Sequence, residues 1–205
     1  MNQKLRRILV MSAGILIMSA GLVLFKLSLM GNDPSTALVI AMGAQVGIDF
    51  SIILIGMNCL WFLVEWRWSP KLIGIGTFVN WFLVGPLASA YEKIILSLWT
   101  VPEALAPRLV LMLVGVVILS LSCAMYQTSD LGIAPYDALS ITLSRKKGWK
   151  YFWCRILTDS ICVVIAFALG GIIGAGTLIC ALGLGPFIQF FTRTVAEPLV
   201  YGRKK

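Results

Sequence analysis

The chain has 205 residues, 59% of them hydrophobic and only 13% charged, with a mean hydropathy of +0.92. Soluble chains carry roughly 45–50% apolar and about 25% charged residues, so a soluble enzyme, a disordered scaffold and a secreted disulfide domain are excluded. The net charge of +8 sits at the ends of apolar runs, as lipid headgroups and membrane orientation demand, and not on one face as a nucleic-acid binder needs.

Apolar runs in chain order predict six spans, at about 8–29, 48–65, 72–91, 108–127, 151–170 and 172–192. The first follows Lys4, Arg6 and Arg7 and is too long for a signal peptide, so a retained helix is expected. The last two form one stretch of some 40 residues, about 60 Å if continuous, which must turn, and Gly170-Gly171 is the expected corner. With the N-terminus inside, twelve basic residues fall on the inner side (Lys4, Arg6, Arg7, Arg67, Lys71, Arg145, Lys146, Lys147, Lys150, Arg203, Lys204, Lys205). Three fall outside (Lys26, Lys93, Arg108), which predicts a multi-pass protein with both termini cytoplasmic. Trp61, Trp66, Trp68, Trp99, Trp149 and Trp153 lie near span ends, where an aromatic belt belongs. The five cysteines (Cys59, Cys123, Cys154, Cys162, Cys180) have no C-x-x-C spacing and read as small buried hydrophobes.

The chain repeats itself. Gly31-x-x-Pro34 followed by Ala37-Leu38 recurs as Gly132-x-x-Pro135 and Ala138-Leu139, 101 residues later. Gly74-x-Gly76-Thr77 with Gly85-Pro86 recurs as Gly174-x-Gly176-Thr177 with Gly185-Pro186, 100 residues later. Repeats over 5–100 and 101–200 then make up one transmembrane domain of residues 1–205. Three spans per half force the second half to enter from the opposite side, so the expected fold is all-α, six transmembrane helices in two inverted three-helix repeats. After each Gly-x-x-Pro kink a short broken or re-entrant helix is expected, over 36–47 and 137–143, with Pro34 and Pro135 in its first turn. Were those segments to cross fully, each half would hold four spans and the repeat would be parallel.

Arg155 and Asp159, four residues apart inside one span, share a helical face and are positioned to pair. Charges at that depth mark either a solute pathway or a packing device. Asp137 and Asp33 each follow or flank a kink, as site carboxylates or as helix caps. Helix starts at the kinks point free N–H groups at whatever precedes them, which favours an anionic group. The candidate substrate-binding or proton-coupling set is therefore Asp137, Arg155, Asp159, Asn32, Asp33, Thr36, Tyr136, Asn58 and Asn80. Asn58 is the repeat partner of Asp159, and Leu54 that of Arg155. Asp49, Gln45, Gln127, Gln189 and Arg193 are further polar groups in or beside apolar runs; Asn80 and Gln189 should point inward. Gly31, Pro34, Gly132, Pro135, Gly76, Thr77, Gly85, Pro86, Gly176, Thr177, Gly185 and Pro186 are expected to act as hinge and close-packing positions, with direct substrate contact the alternative at the Pro86 and Pro186 bends. No metal site or cofactor is expected: histidine is absent, which also excludes a Ser-His catalytic unit, and no nucleotide-binding loop is present.

These features resemble the YczE-type integral membrane proteins of the YczE/YyaS/YitT group. The resemblance rests on Gly132-x-x-Pro135-x-Asp137, on intramembrane Arg155 with an acid four residues later, and on the run from Gly174 to Pro186. It departs in the first half, where Thr36 stands for the Asp, and after both kink prolines, where Ser35 and Tyr136 stand for the expected Trp. The resemblance implies a bacterial cytoplasmic-membrane protein of the kind often described as a transporter, and supplies no substrate. The expected function is a secondary transporter for a small polar or anionic metabolite, not an enzyme, working by alternating access about a midplane site. A non-transporting accessory protein with Arg145–Lys150 as a docking patch is the alternative. The lipid bilayer, an unidentified small solute and a second copy of the chain are the expected partners.

Overall fold

The computed structural model describes residues 2–48, 50–101, 103–171 and 173–202. Asp49, Arg203, Lys204 and Lys205, singled out above, lie outside the described residues. Nine α-helices are present among those described: α1 (Gln3–Leu27), α2 (Pro34–Val46), α3 (Phe50–Trp68), α4 (Ile75–Leu98), α5 (Leu105–Thr128), α6 (Pro135–Lys147), α7 (Tyr151–Ala168), α8 (Ala175–Phe191) and α9 (Glu197–Tyr201). A 3₁₀ turn, Pro70–Leu72, precedes α4, and a π-helical turn, Thr192–Ala196, joins α8 to α9. Five stretches are long and apolar enough to cross a membrane: α1, α4, α5, α7 and Ala175–Tyr201.

Local chemistry accounts for the ends. Asn2 caps α1 by accepting from the N–H of Lys4 at 3.2 Å. Pro34 and Pro135 open α2 and α6, where a missing N–H costs nothing. Both short helices have 13 residues and end on a left-handed glycine, Gly47 (φ 67°) and Gly148 (φ 68°), a backbone region that glycine enters without strain. α2 keeps to its expected segment, whereas α6 extends past Leu143. It runs on through Arg145, Lys146 and Lys147, cations that suit the negative end of a helix dipole. α7 stops at Ala168 and the chain turns at Gly170 (φ 75°).

The two kink loops have matching backbone angles. Leu29 and Asp130 share φ 55°, and Gly31 and Gly132 share φ 121°. Each such loop packs on the start of a helix in the other half. Gly76 donates its N–H to Leu131 O at 2.8 Å, and Gly176 donates its own to Met30 O at 2.9 Å. Side chains on Gly74 and Gly174 are excluded by this approach: a Cβ would stand 2.3 Å from Leu131 O or 2.0 Å from Met30 O.

Helix directions follow from residue pairs. α1 and α5 are antiparallel, with Gly14 against Tyr126, Gly21 against Leu119 and Gly115 against Phe25. α4 runs parallel to α1: Gly76 lies near Met11, Asn80 donates to Met18 Sδ at 3.4 Å, and Lys26 pairs with Glu92 at 2.8 Å. α6 runs alongside α3, with Tyr136 near Trp61 and Thr142 donating to Ser69 Oγ at 2.8 Å. α2 packs along α7 and reaches its C-terminal end, where Gln45 Nε2 donates to Leu169 O at 2.7 Å. Each short helix therefore nests in the opposite half. The start of α1, α9 and the end of α5 meet at one end of the bundle, where Arg6 donates to Pro198 O at 3.2 Å and Tyr201 to Thr128 O at 3.4 Å.

The main core joins α1, α5, α6 and α8 through Met11, Ile15, Phe25, Met112, Val116, Tyr126, Leu184 and Ile188. A second core joins α2, α3 and α7 through Leu38, Val39, Met57, Cys162 and Ala166. Cys123, Cys154, Cys162 and Cys180 are buried as expected, whereas Cys59 is exposed on the apolar outer face of α3, because its helical position faces away from α2 and α6. Trp66, Trp68, Trp99, Trp149 and Trp153 are exposed, but Trp61 turns inward against Tyr136 and does not join the belt.

Candidate functional site: a buried ion cluster at the start of α6

The first turn of α6 lies deep in the bundle. Asp137 is hydrogen-bonded by Tyr126 of α5, which packs against Gly14, about 16 Å along α1 from its start. Arg155 on α7 binds Asp137 through Nη1 and Asp159 through Nε, the latter at 3.1 Å. Tyr136 donates to Asp159 Oδ1 at 2.5 Å, and its ring lies 5.0 Å from the Arg155 guanidinium carbon. Arg155 is 5% exposed, Asp137 6% and Asp159 0%. A guanidinium shared by two carboxylates satisfies its fork and cancels most of the desolvation that isolated buried charges incur.

Four sequence candidates thus come together: Asp137, Arg155, Asp159 and Tyr136. Asp137 leaves its helix uncapped, as the cap position is Ala134. The other five lie elsewhere. Asp33 is a cap, accepting from the N–H of Thr36 at 3.2 Å. Asn32 gives its backbone N–H to Thr177 Oγ1 at 3.1 Å. Asn58 is half-buried on α3, and Asn80 faces Met18. Polarity recurs at the repeat partners of the cluster, but no second ion cluster forms there.

The small-residue positions divide likewise. Gly76, Gly176 and Gly185 face neighbouring backbone, and Thr77 and Thr177 are fully buried. Gly85 and Pro86 are exposed, with nothing near Gly85. Gly85 is therefore not a packing position, because α4 meets α1 on its other face. Gln189 is half-buried and lines an open groove of about 310 Å³ with Phe152, Pro186, Phe190, Arg193 and Thr194. A second groove runs along Trp149, Trp153, Ile156, Leu157 and Ser160. Neither groove is lined by the ion cluster. At the first turn of α6 the charged side chains close on one another.

Composition and spacing left three residues out of the cluster. Tyr126, close to a span end, reads as an interfacial anchor, yet it is the hydroxyl that holds Asp137. Trp61 and Glu65, one turn apart on α3, face α6 with the Trp61 indole nitrogen and both Glu65 oxygens lacking a hydrogen-bond partner. Their signal is the acid itself, in an apolar run of FLVEWRW. Gln127 Nε2 and the Tyr151 hydroxyl are likewise buried without a partner. No group of three metal-ligating side chains forms among the described residues.

A family of unknown function, DUF6198, matches residues 5–193, nearly the whole chain. The chain belongs to that family. This DUF6198 protein is 28% identical over 174 residues to an uncharacterised protein of Haemophilus influenzae, covering 85% of the chain and 78% of the relative. It is 27% identical over 146 residues to the uncharacterised membrane protein YczE of Bacillus subtilis, covering 71% of the chain and 63% of YczE. The YczE resemblance read from the second-half motifs is thereby supported for this DUF6198 chain as a membrane protein. No solved structure matches it.

Proposed function

We propose that this DUF6198 protein is a secondary transporter for a small polar or anionic metabolite in the bacterial cytoplasmic membrane. Its two halves form an inverted repeat, with α3 as the sixth span, both termini cytoplasmic, and α2 and α6 as half-helices starting inside the bundle. Several directions support this reading. The corresponding helices α1 and α5 are antiparallel, as a symmetry axis lying across the helices requires. α2 and α6 run to opposite ends, one toward Leu169 and the other toward Ser69. The exposed Arg145, Lys146, Lys147 and Lys150 lie at the α6 end, and Lys26 and Glu92 at the other, in line with a positive inner face.

The observation that carries the reading is the buried Asp137–Arg155–Asp159 cluster at the start of a half-helix. Ionic groups at this depth are costly, and transporters place them on the solute path. Arg155 recognises an anionic or polar group only after one of its carboxylates lets go, so substrate binding exchanges one ion pair for another. The uncapped first turn of α6 supplies free N–H groups beside that exchange. Rocking of the halves then presents Arg155 to each side in turn.

The test is reconstitution into liposomes of solutes selected by thermal shift. Saturable uptake that Asp159→Asn abolishes is the expected result. If no solute stabilises the protein, none is taken up under any ion gradient, and Asp159→Asn cells behave as wild type, the transport reading is wrong. A membrane accessory role has one observation in its favour, the exposed Arg145–Lys150 run. Stoichiometric co-purification of a single partner, lost when that run is neutralised, would select it.

A further inference from the structure

The ion cluster contains one guanidinium for two aspartates, and a third acid stands beside it. Glu65 is 1% exposed, and neither of its carboxyl oxygens has a hydrogen-bond partner. It lies on the face of α3 that packs against α6, one turn after Trp61, which meets Tyr136, and one turn before Ser69, which meets Thr142. Asp137 on α6 lies close enough for its charge to oppose a charge on Glu65. Arg155 is already taken by Asp137 and Asp159. The other groups facing this region are phenols and amides: Tyr126 and Gln127 on α5, Tyr136 on α6, Tyr151 on α7 and the Trp61 indole. The cations on the elements around it, Arg67 on α3, Lys71 on the 3₁₀ turn and Arg145, Lys146 and Lys147 on α6, are all exposed, and Lys146 is held over the Trp68 ring at 4.8 Å.

An ionised carboxylate in such a place would have neither a counter-ion nor a donor, and would repel Asp137. That costs several kcal/mol, which a bound proton removes. We propose that Glu65 is a proton-binding site, occupied in the resting state, and that loss of its proton loosens α6 from α3. The proton leaves the carboxyl oxygen as a hydron to water, and the carboxylate left behind faces Asp137 across the helix pair. Repulsion between the two then pushes apart the elements that hold Asp137 against Arg155. In a transporter this makes Glu65 the coupling group, a role that rests on the transport reading; proton occupancy itself does not.

The experiment needs no substrate. Infrared spectra of the purified protein are recorded near neutral pH for wild type and Glu65→Gln. The difference should contain the carbonyl band of a neutral carboxyl group, fading at alkaline pH. A difference containing only carboxylate bands overturns the proposal. Should Glu65→Gln fail to fold, a hydrophobic carbodiimide applied to the wild type decides, since it attacks protonated buried carboxyls. A mass increase on the Glu65 peptide that is lost at alkaline pH is the supporting result, and labelling that is absent or unchanged with pH overturns it. Hydrogen exchange along α6, corrected for its intrinsic pH dependence, should rise with pH in wild type and not in Glu65→Gln. Liposome uptake is scored separately, so a transport-inactive protein with a protonated Glu65 refutes the transport reading alone.

Discussion

Gly14 on α1 lies so close to the backbone of Tyr126 on α5 that a Cβ at Gly14 would stand 3.0 Å from the Tyr126 nitrogen. One repeat later Gly115 meets Phe25 in the same way, at 2.9 Å from its nitrogen. Backbone cannot step aside as a flexible side chain can. Gly14→Leu and Gly115→Leu should each cost about 1–3 kcal/mol through overpacking, whereas Gly56→Ala and Gly85→Ala, which meet nothing within 4 Å, should be close to neutral. Thermal unfolding in detergent measures all four, and equal losses at the four positions would contradict this account of the α1–α5 contact.

Arg155 holds two carboxylates, so its removal leaves both buried without a counter-ion, held only by the Tyr126 and Tyr136 hydroxyls. Arg155→Met should destabilise by about 3–5 kcal/mol, seen as aggregation in size-exclusion chromatography or a lower melting temperature. Pairing it with Asp137→Asn and Asp159→Asn should recover much of the loss, because neutral amides need no counter-ion. Arg155→Lys should recover little, since an ammonium cannot present the guanidinium fork to two acids at once.

Thr177 accepts the Asn32 N–H across the repeat interface. Thr177→Val keeps the shape, removes the acceptor and leaves the donor unpaired. It should cost about 1–3 kcal/mol, and Thr177→Ser should cost much less. A melt in which serine falls and valine does not would assign the effect to the methyl group instead.

Asp33 separates capping from solute chemistry. Asp33→Asn keeps an oxygen for the Thr36 N–H and should leave stability and uptake near wild type, while Asp33→Ala should lose about 1 kcal/mol. Abolition of uptake by Asp33→Asn would return this residue to the solute path.

Much of this arrangement is legible in the chain because the repeat announces itself through Gly and Pro, residues whose backbone demands are local. The kinks at Gly31 and Gly132, the two N1 prolines and the turn at Gly170 follow from that. The Arg155–Asp159 pair follows from helical spacing. What spacing cannot convey is which distant helix arrives. Tyr126 reaches Asp137 only because the end of α5 comes alongside the first turn of α6. Glu65 borders Trp66, Arg67 and Trp68, a composition that reads as the membrane surface, yet the covering helix α6 buries it. Arg155 closes on Asp137 and Asp159 because opposite charges brought into an apolar interior pair with each other.

The nesting of α2 along α7 has a consequence for biogenesis. About a hundred residues separate the end of α2 from the start of α7, which at about 5–20 residues per second is a delay of roughly 5–20 s on the ribosome. During that interval α2, too short to cross the bilayer alone, has left the tunnel without the surface it will occupy. The nascent first half must therefore wait, incompletely assembled beside the insertion machinery, until its sibling is synthesised.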